Sequence, residues 1–412
     1  MLKIVQIQYS TVSGGSSALR LQKAFIKAGM LSSIISLQED KPRINNITYL
    51  GRKERIIARL DCRIELLITK KGDKDYGLFS VPVIGNDISS MKEIVEADII
   101  YIHWVQYGFL GYADIKKIAK LNKPVIFIMH DMWSITGGCH YSFNCENYIT
   151  GCKTCPVFTA KPNSNLAAIG IEKKMALYSR FSNLFFVSPS RWLYNCAKEA
   201  LLTKDKPVFY IPNALDVSVY KPLDKNTAKH ILNISSDESV IAFGAVSIDS
   251  KRKGWPYLQN ALEMLKKDTG SEKVTILIFG SNYNREIADA IPFKTRFMGY
   301  LNDEYSTALA YNASDVFIVP SLADNQPTTV QESLSCGTAV VGFDIGGIPD
   351  MIRHKENGYL AEYKNAEDIA TGIRYCLQNK IRGKMLEGFH PDEVIKSHTR
   401  MHEYIRSLKQ PA

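Results

Sequence analysis

The sequence predicts an α/β protein with two parallel-sheet domains, and three observations carry that reading. Short β-branched apolar runs recur along the chain, from Met1-Leu2-Lys3-Ile4-Val5-Gln6-Ile7 to Val316–Val319 and Thr338–Phe343. Runs of this kind suit strands covered on both faces. Polar or glycine-bearing turns follow these strands, at the carboxyl ends where open α/β sheets bind ligands. Finally, 412 residues suffice for two large cores, and the 45% hydrophobic and 23% charged fractions are those of a globular chain. The expected boundary lies near residue 214, giving domains 1–213 and 214–389 with residues 390–412 returning to the first.

Strand one ends near Gln8-Tyr9-Ser10, and Ser13-Gly14-Gly15-Ser16-Ser17 leads into a helix from about Ala18 to Ala28. Glycines there let the backbone approach a ligand, and the helix start offers N–H groups to phosphate. A tight strand-to-helix turn is the plainer meaning of the same residues. Residues 51–69 differ in character. Ile56, Ile57, Leu60, Ile64, Leu67 and Ile68 fall at helical spacing, with Arg52, Lys53, Arg55, Arg59 and Arg63 around them. Such a helix either packs its stripe on the domain or lies on an anionic membrane surface.

Ala97–Trp104 reads as a strand ending in His103-Trp104, and Pro124–Met129 as a strand ending in His130-Asp131. His103 is expected to be a hydrogen-bonded core residue. The next stretch holds four of the eight cysteines, as Cys139-x5-Cys145-x6-Cys152-x2-Cys155. In a reducing compartment four clustered thiols suggest a structural zinc ion, with His140 as a substitute ligand. Disulfides and free thiols are the alternatives. Cys62, Cys196, Cys336 and Cys376 stand apart and read as packing residues. Leu184–Pro189 is a further strand, and Ser190-Arg191-Trp192 starts a helix.

The second domain opens with a strand, Ser239–Val246, followed by Lys251-Arg252-Lys253-Gly254. Bases after a strand neutralise a diphosphate well in a dry site; a solvated basic turn is the other meaning. Lys273–Gly280 and Phe297–Tyr300 are expected as strands, the latter with its turn, and Asp392 to about Leu408 as a final helix. Between them lies the densest block. Val316–Val319 ends at Pro320-Ser321, a loop carries Asp324, and a helix from about Thr328 to Cys336 is stopped by Gly337. Backbone N–H groups at that helix start, with Ser321, Thr328 and Thr329 near, suit an anion, and Glu332 suits two ribose hydroxyls. Either acid alone reads more simply as a helix-end charge or a solvated residue.

As a whole, Asp324-x7-Glu332, Ser335-Cys336-Gly337 and Gly346-Gly347-Ile348-Pro349-Asp350 resemble the C-terminal signature of the family 4 glycosyltransferases. The resemblance implies the GT-B fold, two Rossmann-like domains facing across a cleft, with a last helix crossing back. It implies a retaining sugar transfer from a nucleotide-diphosphate donor, a UDP- or GDP-sugar, with no catalytic metal. Gly14 and Gly15 match a glycine loop that faces the donor diphosphate, and His130 a histidine near the transferred sugar. Lys253 matches a phosphate-binding lysine, while Ser247 stands where the family has arginine; Arg252 is the stand-in. Asp324 takes the place of the usual Glu and, with Asn325 and Gln326, would hold the sugar. A similar Cys-rich insert occurs in a subgroup acting in bacterial surface polysaccharide assembly, which points to a glycan or lipid-linked glycan acceptor.

The net charge, 51 − 42 = +9, favours anionic partners. Without a recognised motif or a basic–aromatic platform, nucleic acid is not among those expected. No run approaches the about 20 apolar residues of a membrane span, so the expected location is cytoplasmic or peripheral at the inner face of the plasma membrane. Two rivals stand beside this reading: a GT-B transferase with a soluble sugar acceptor, and a non-catalytic protein that kept the fold.

Overall fold

The computed structural model describes residues 1–11, 16–39, 43–70, 72–73, 77–158, 165–244, 250–269, 273–280, 285–301 and 303–408. Gly14, Gly15 and Ser247 lie outside the described residues. The chain divides into two compact units, Met1–Ala214 with Asp392–Ala412, and Leu215–Pro391.

The first unit is built on strands β1 (Lys3–Gln8), β2 (Leu31–Ser36), β3 (Ile47–Tyr49), β4 (Ile99–Ile102), β5 (Val125–Ile128), β6 (Leu184–Ser188) and β7 (Val208–Tyr210). Its helices are α1 (Ser16–Lys27), α2 (Arg52–Thr69), α3 (Lys92–Glu96), α4 (Tyr112–Ala119), α5 (Leu166–Arg180) and α6 (Arg191–Glu199). All seven strands pair in parallel, in the order β3-β2-β1-β4-β5-β6-β7. The order reverses between β1 and β4, where Ile7 pairs with Ile102. Helices cover both faces, which is why β4, β5 and β6 are buried at every residue.

The second unit contains α7 (Lys225–Ile231), β8 (Ser239–Gly244), α8 (Trp255–Thr269), β9 (Val274–Phe279), α9 (Arg285–Ala290), β10 (Lys294–Phe297), α10 (Glu304–Ala313), β11 (Val316–Val319), α11 (Thr328–Ser335), β12 (Ala339–Phe343), β13 (Gly358–Ala361) and α12 (Ala366–Gln378). Its sheet is again all parallel, ordered β10-β9-β8-β11-β12-β13, and reverses between β8 and β11. β10 ends at Phe297, so the expected strand at 297–300 is displaced: Met298–Tyr300 is the turn after it, with Gly299 at φ +66°. Gly337 sits at φ +85° just beyond the C-cap Cys336, the left-handed conformation that ends a helix at least cost.

The last helix, α13 (Pro391–Ser407), packs on the first unit. Val394, Met401 and Ile405 join Phe25 and Tyr101 in one buried cluster. The Tyr101 hydroxyl, inside β4, meets His398 Nδ1 at 3.0 Å and His402 Nε2 at 2.6 Å. A tyrosine in the middle of a buried strand needs a partner for its hydroxyl, and the returning helix supplies two.

α2 is arranged opposite to the packing expectation. It turns Ala58, Asp61 and Glu65 inward, while Ile56, Leu60 and Leu67 are 54%, 51% and 74% exposed. The carboxylates win because they satisfy the backbone donors of the 81–84 turn. Asp61 Oδ1 accepts from the Val83 and Ile84 amides at 2.9 and 2.8 Å, and Glu65 Oε1 from the Val81 amide at 2.5 Å.

Candidate active site

In the second unit, residues from three stretches meet beyond the carboxyl end of β11. Lys251–Lys253 form a single 3-10 turn after the segment that follows β8, and Gly254 ends it at φ +69°. A Cβ on Gly254 would lie 1.8 Å from the Pro320 carbonyl oxygen, so glycine is what lets the basic turn lie against the end of β11. The Leu322 amide donates to the Arg252 carbonyl at 2.7 Å and locks the two together. The loop 321–327 then folds under the turn after β12. Gly346, at φ +59°, would place a Cβ 2.0 Å from the Asp324 carbonyl, and the Gly347 amide donates to that carbonyl at 3.1 Å.

This frame aims Asp324 at the bases. Asp324 Oδ2 lies 2.7 Å from Lys253 Nζ and 3.0 Å from Arg252 Nη1, and accepts from Ser321 Oγ at 3.2 Å. Arg252 also donates to the Ala323 carbonyl at 2.9 Å. Asp324 is 6% exposed. Burial alone would raise its carboxyl pKa, but Lys253 and Arg252 overcome this and hold it at about 2. Burial lowers the Lys253 pKa, with Arg252 adding to the effect and Asp324 opposing it. Two cations share one carboxylate, so the cluster carries a net charge near +1. It therefore keeps a pull on a further anion.

α11 begins beside the cluster. Its N-cap is Pro327, with no side-chain cap and no acidic residue in the first turn. Thr328 and Thr329 are half-buried there, and Asn325 and Gln326 are buried in the loop before them. The positive end of the helix thus adds to the charge of Lys253 and Arg252. Glu332, one turn further and 5% exposed, accepts from the Tyr311 hydroxyl at 3.0 Å. The simpler meanings of the two acids fail on these facts: Asp324 is not in the first turn of α11, and Glu332 is not solvated.

In the first unit, His103 and His130 extend from the ends of β4 and β5. His103 Nδ1 and His130 Nε2 are 2.9 Å apart, and His103 Nε2 lies 2.9 Å from Gln6 Oε1. Gln6 in turn donates through Nε2 to Ser32 Oγ at 3.2 Å. The chain of bonds has one consistent proton order. With Gln6 Oε1 accepting, His103 Nε2 carries its proton, His103 Nδ1 accepts from His130 Nε2, and His130 Nδ1 is the unprotonated nitrogen. Burial holds His130 down at about 4, against the opposing charge of Asp131. Burial, then His130 and His398, hold His103 well below the usual histidine value. His103 is thus the buried, hydrogen-bonded residue expected, and its second partner is His130. The legible signal was Gln6: an amide within a buried strand has to be matched by something.

Cys139, Cys145, Cys152 and Cys155 line one small cavity with Phe79, Tyr141, Val157 and Ala167. All four are free thiols. Among the described residues no group of three or more His, Cys, Asp and Glu is placed to hold a metal ion. The loop is held by other means. His140 Nδ1 pairs with Asp131 Oδ2 at 2.6 Å and Nε2 with Ser80 Oγ at 3.0 Å, turning the imidazole away from a ligand role. The buried Lys174 ammonium donates to the carbonyls of Trp133 and Thr136 and lies 3.8 Å from the Trp133 ring centroid. Burial raises the Cys139 and Cys152 thiols to about 12 and about 11.

Two parallel-sheet Rossmann-like units, each with polar groups gathered at strand carboxyl ends, define the class as GT-B-like α/β. The chain matches solved structures of this fold over nearly its full length. Anabaena HepE in complex with UDP and glucose matches at TM-score 0.63 and 14% identity over 99% of this chain and 100% of that one. Sucrose-phosphate synthase from Thermosynechococcus elongatus matches at 0.61 and 14% over 99% of each. At the level of sequence, residues 237–379 match the family model Glyco_trans_1_4, Glycosyl transferases group 1. The chain is 27% identical to a D-inositol 3-phosphate glycosyltransferase of Rhodococcus opacus over 40% of its own length and 39% of that protein's. It is 21% identical to the putative colanic acid biosynthesis glycosyl transferase WcaC of Escherichia coli over 60% of its length and 59% of that protein's. The aligned parts thus span about two to three fifths of these relatives.

Proposed function

We propose that the protein is a retaining glycosyltransferase that moves a sugar from a nucleotide-diphosphate sugar to a hydroxyl of a lipid-linked surface glycan. The observation that carries this reading is the Lys253–Asp324–Arg252 cluster beside the uncapped start of α11, inside the segment that matches the group 1 family. A partly neutralised pair of bases on a rigid frame suits a group whose negative charge grows as the sugar departs. Lys253 and Arg252 take the diphosphate, with Ser321, Thr328, Thr329 and the first amides of α11. Glu332 accepts from the ribose hydroxyls while Tyr311 orients it. Asp324 positions the bases, and the Asn325–Gln326 backbone holds the sugar.

His130, kept neutral by burial and bonded to His103, is the donor-sugar contact of this reading. No side chain of the cluster is placed as a covalent nucleophile, and the leaving phosphate takes the acceptor proton on the same face of the sugar. HepE, whose structures hold UDP and UDP-glucose, supports a uridine donor; WcaC, named for colanic acid, supports a surface-glycan product. The first unit is then the acceptor side and the second the donor side.

A thermal-shift panel of UDP-, GDP- and ADP-sugars, followed by transfer of labelled sugar to lipid extract, tests the proposal. One base series should raise the melting midpoint, and that donor should label a lipid fraction. No shift from any nucleotide would contradict the proposal, and label moving only to free sugars would overturn its acceptor.

A further inference from the structure

α2 is the least explained feature of the first unit. It is an 18-residue helix whose outward side carries exposed apolar side chains among basic ones. At 100° per residue, Ile56, Leu60, Arg63 and Leu67 point directly away from the inward Ala58, Asp61 and Glu65. Arg52, Arg59 and Leu66 flank that line on one side and Lys53 on the other. Each of these eight residues is exposed, and no carboxylate is: Asp61 and Glu65 are buried and Glu54 is half-buried. Val83, bonded through its amide to Asp61, adds a side chain 46% exposed at the inner edge.

The helix cannot roll to cover this face. Turning Ile56 and Leu60 inward would take Asp61 and Glu65 off the amides of Val81, Val83 and Ile84 and leave those donors unpaired. The stripe is therefore a fixed display of apolar side chains bordered by guanidinium and ammonium groups.

We infer that α2 is a membrane-docking helix that lies along an anionic lipid surface, with Ile56, Leu60 and Leu67 in the acyl boundary and Arg52, Lys53, Arg59 and Arg63 on lipid phosphates. Charge complementarity selects the occupant. A second copy of this chain would set the same bases against one another, whereas anionic headgroups neutralise all of them at one depth. The face is the convex side of a helix, which suits a fluid surface better than a shaped protein partner. The inference rests on the reading of a lipid-linked acceptor for its purpose, since docking would hold the acceptor side of the enzyme where that substrate lies. It needs neither donor nor turnover for its test.

The test is flotation of the full chain, without nucleotide, on vesicles of phosphatidylcholine alone or mixed equally with phosphatidylglycerol, at about 0.1 M salt. The chain should float with the mixed vesicles at least about tenfold more than with the neutral ones, and high salt should release it. Leu60→Glu with Leu67→Glu should abolish flotation, and Arg59→Glu with Arg63→Glu should remove the preference for anionic lipid. Both variants are at exposed positions and should keep the wild-type melting temperature. Flotation that is absent, equal on both lipids or unchanged in the variants would overturn the inference. So would a lipid-independent dimer that Leu60→Glu dissolves. Loss of transfer activity with flotation intact would count against the enzyme reading alone.

Discussion

The two units solve the same topological problem with opposite chemistry. Both carry an all-parallel sheet that reverses order at its first strand, and both gather polar side chains just past the carboxyl ends of the strands beside that point. In the second unit the group is ionic: Asp324 between Lys253 and Arg252. In the first it is neutral: Gln6, His103 and His130 in a line of hydrogen bonds, with both imidazoles kept uncharged by burial. The difference teaches what each unit is equipped to meet. A charged cluster attracts a diphosphate and stabilises its growing charge. A neutral line of donors and acceptors sets the orientation of a hydroxyl-bearing group without competing for the anion.

The largest effect expected from this contrast follows Lys253→Ala. It should lower kcat/KM about a hundredfold or more and abolish the thermal shift from free nucleoside diphosphate, whereas His130→Ala should reduce turnover and spare that shift. A variant of His130 that loses diphosphate binding as fully as Lys253→Ala would break the contrast.

Acidification should separate the units next. His103 and His398 are held well below the ordinary histidine value, and His130 and His402 at about 4, so in the folded state they stay neutral while the unfolded chain takes up protons from about pH 6.5 downward. Stability contributed by their neutral forms is complete above pH 6.5 and is lost as pH falls toward 4, by about 1.4 kcal/mol per pKa unit for each group fully buried. Glu65, raised to about 7 chiefly by burial, acts the other way and offsets part of one histidine. In the second unit, Asp324 keeps its contribution until pH falls below 3.8 and loses it only toward 2. Circular dichroism between pH 7 and 4 should therefore show the first unit unfolding first. Coincident loss of both, or earlier loss of the second, would contradict this.

Tyr101→Phe sharpens the comparison within the first unit. Removing the hydroxyl shared by His398 and His402 should cost about 1–3 kcal/mol in urea unfolding and loosen α13 before the sheet. The smallest effect is expected from chelation. The loop around the cavity is held by His140, Asp131 and Lys174, so EDTA should leave the melting temperature unchanged. A large drop would restore the metal reading of the four cysteines.

Much of this was legible in the sequence where the signal was local. β11, α11, Gly337 and β12 follow from a short apolar run, a helical stretch and a glycine stop. What was not legible depended on distance along the chain. Asp324 meets Lys253 from 71 positions away, and His103 meets Gln6 from 97. Spacing left two readings open where local patterns competed. Of the two readings of the α2 stripe, the core face gave way because the turn at 81–84 needed Asp61 and Glu65. The four cysteines have a hook like a zinc site, and the loop is also closed by an Asp–His–Ser line and a buried lysine that spacing could not show.

The contrast between the units rests most directly on where the diphosphate binds. Calorimetric titration of free UDP into the wild type, Lys253→Ala and His130→Ala would decide it, with GDP as the alternative base. The account predicts affinity about fiftyfold weaker in Lys253→Ala, the loss of a half-buried charge-assisted contact, and within about twofold of wild type in His130→Ala. Equal affinity in the wild type and Lys253→Ala would contradict it.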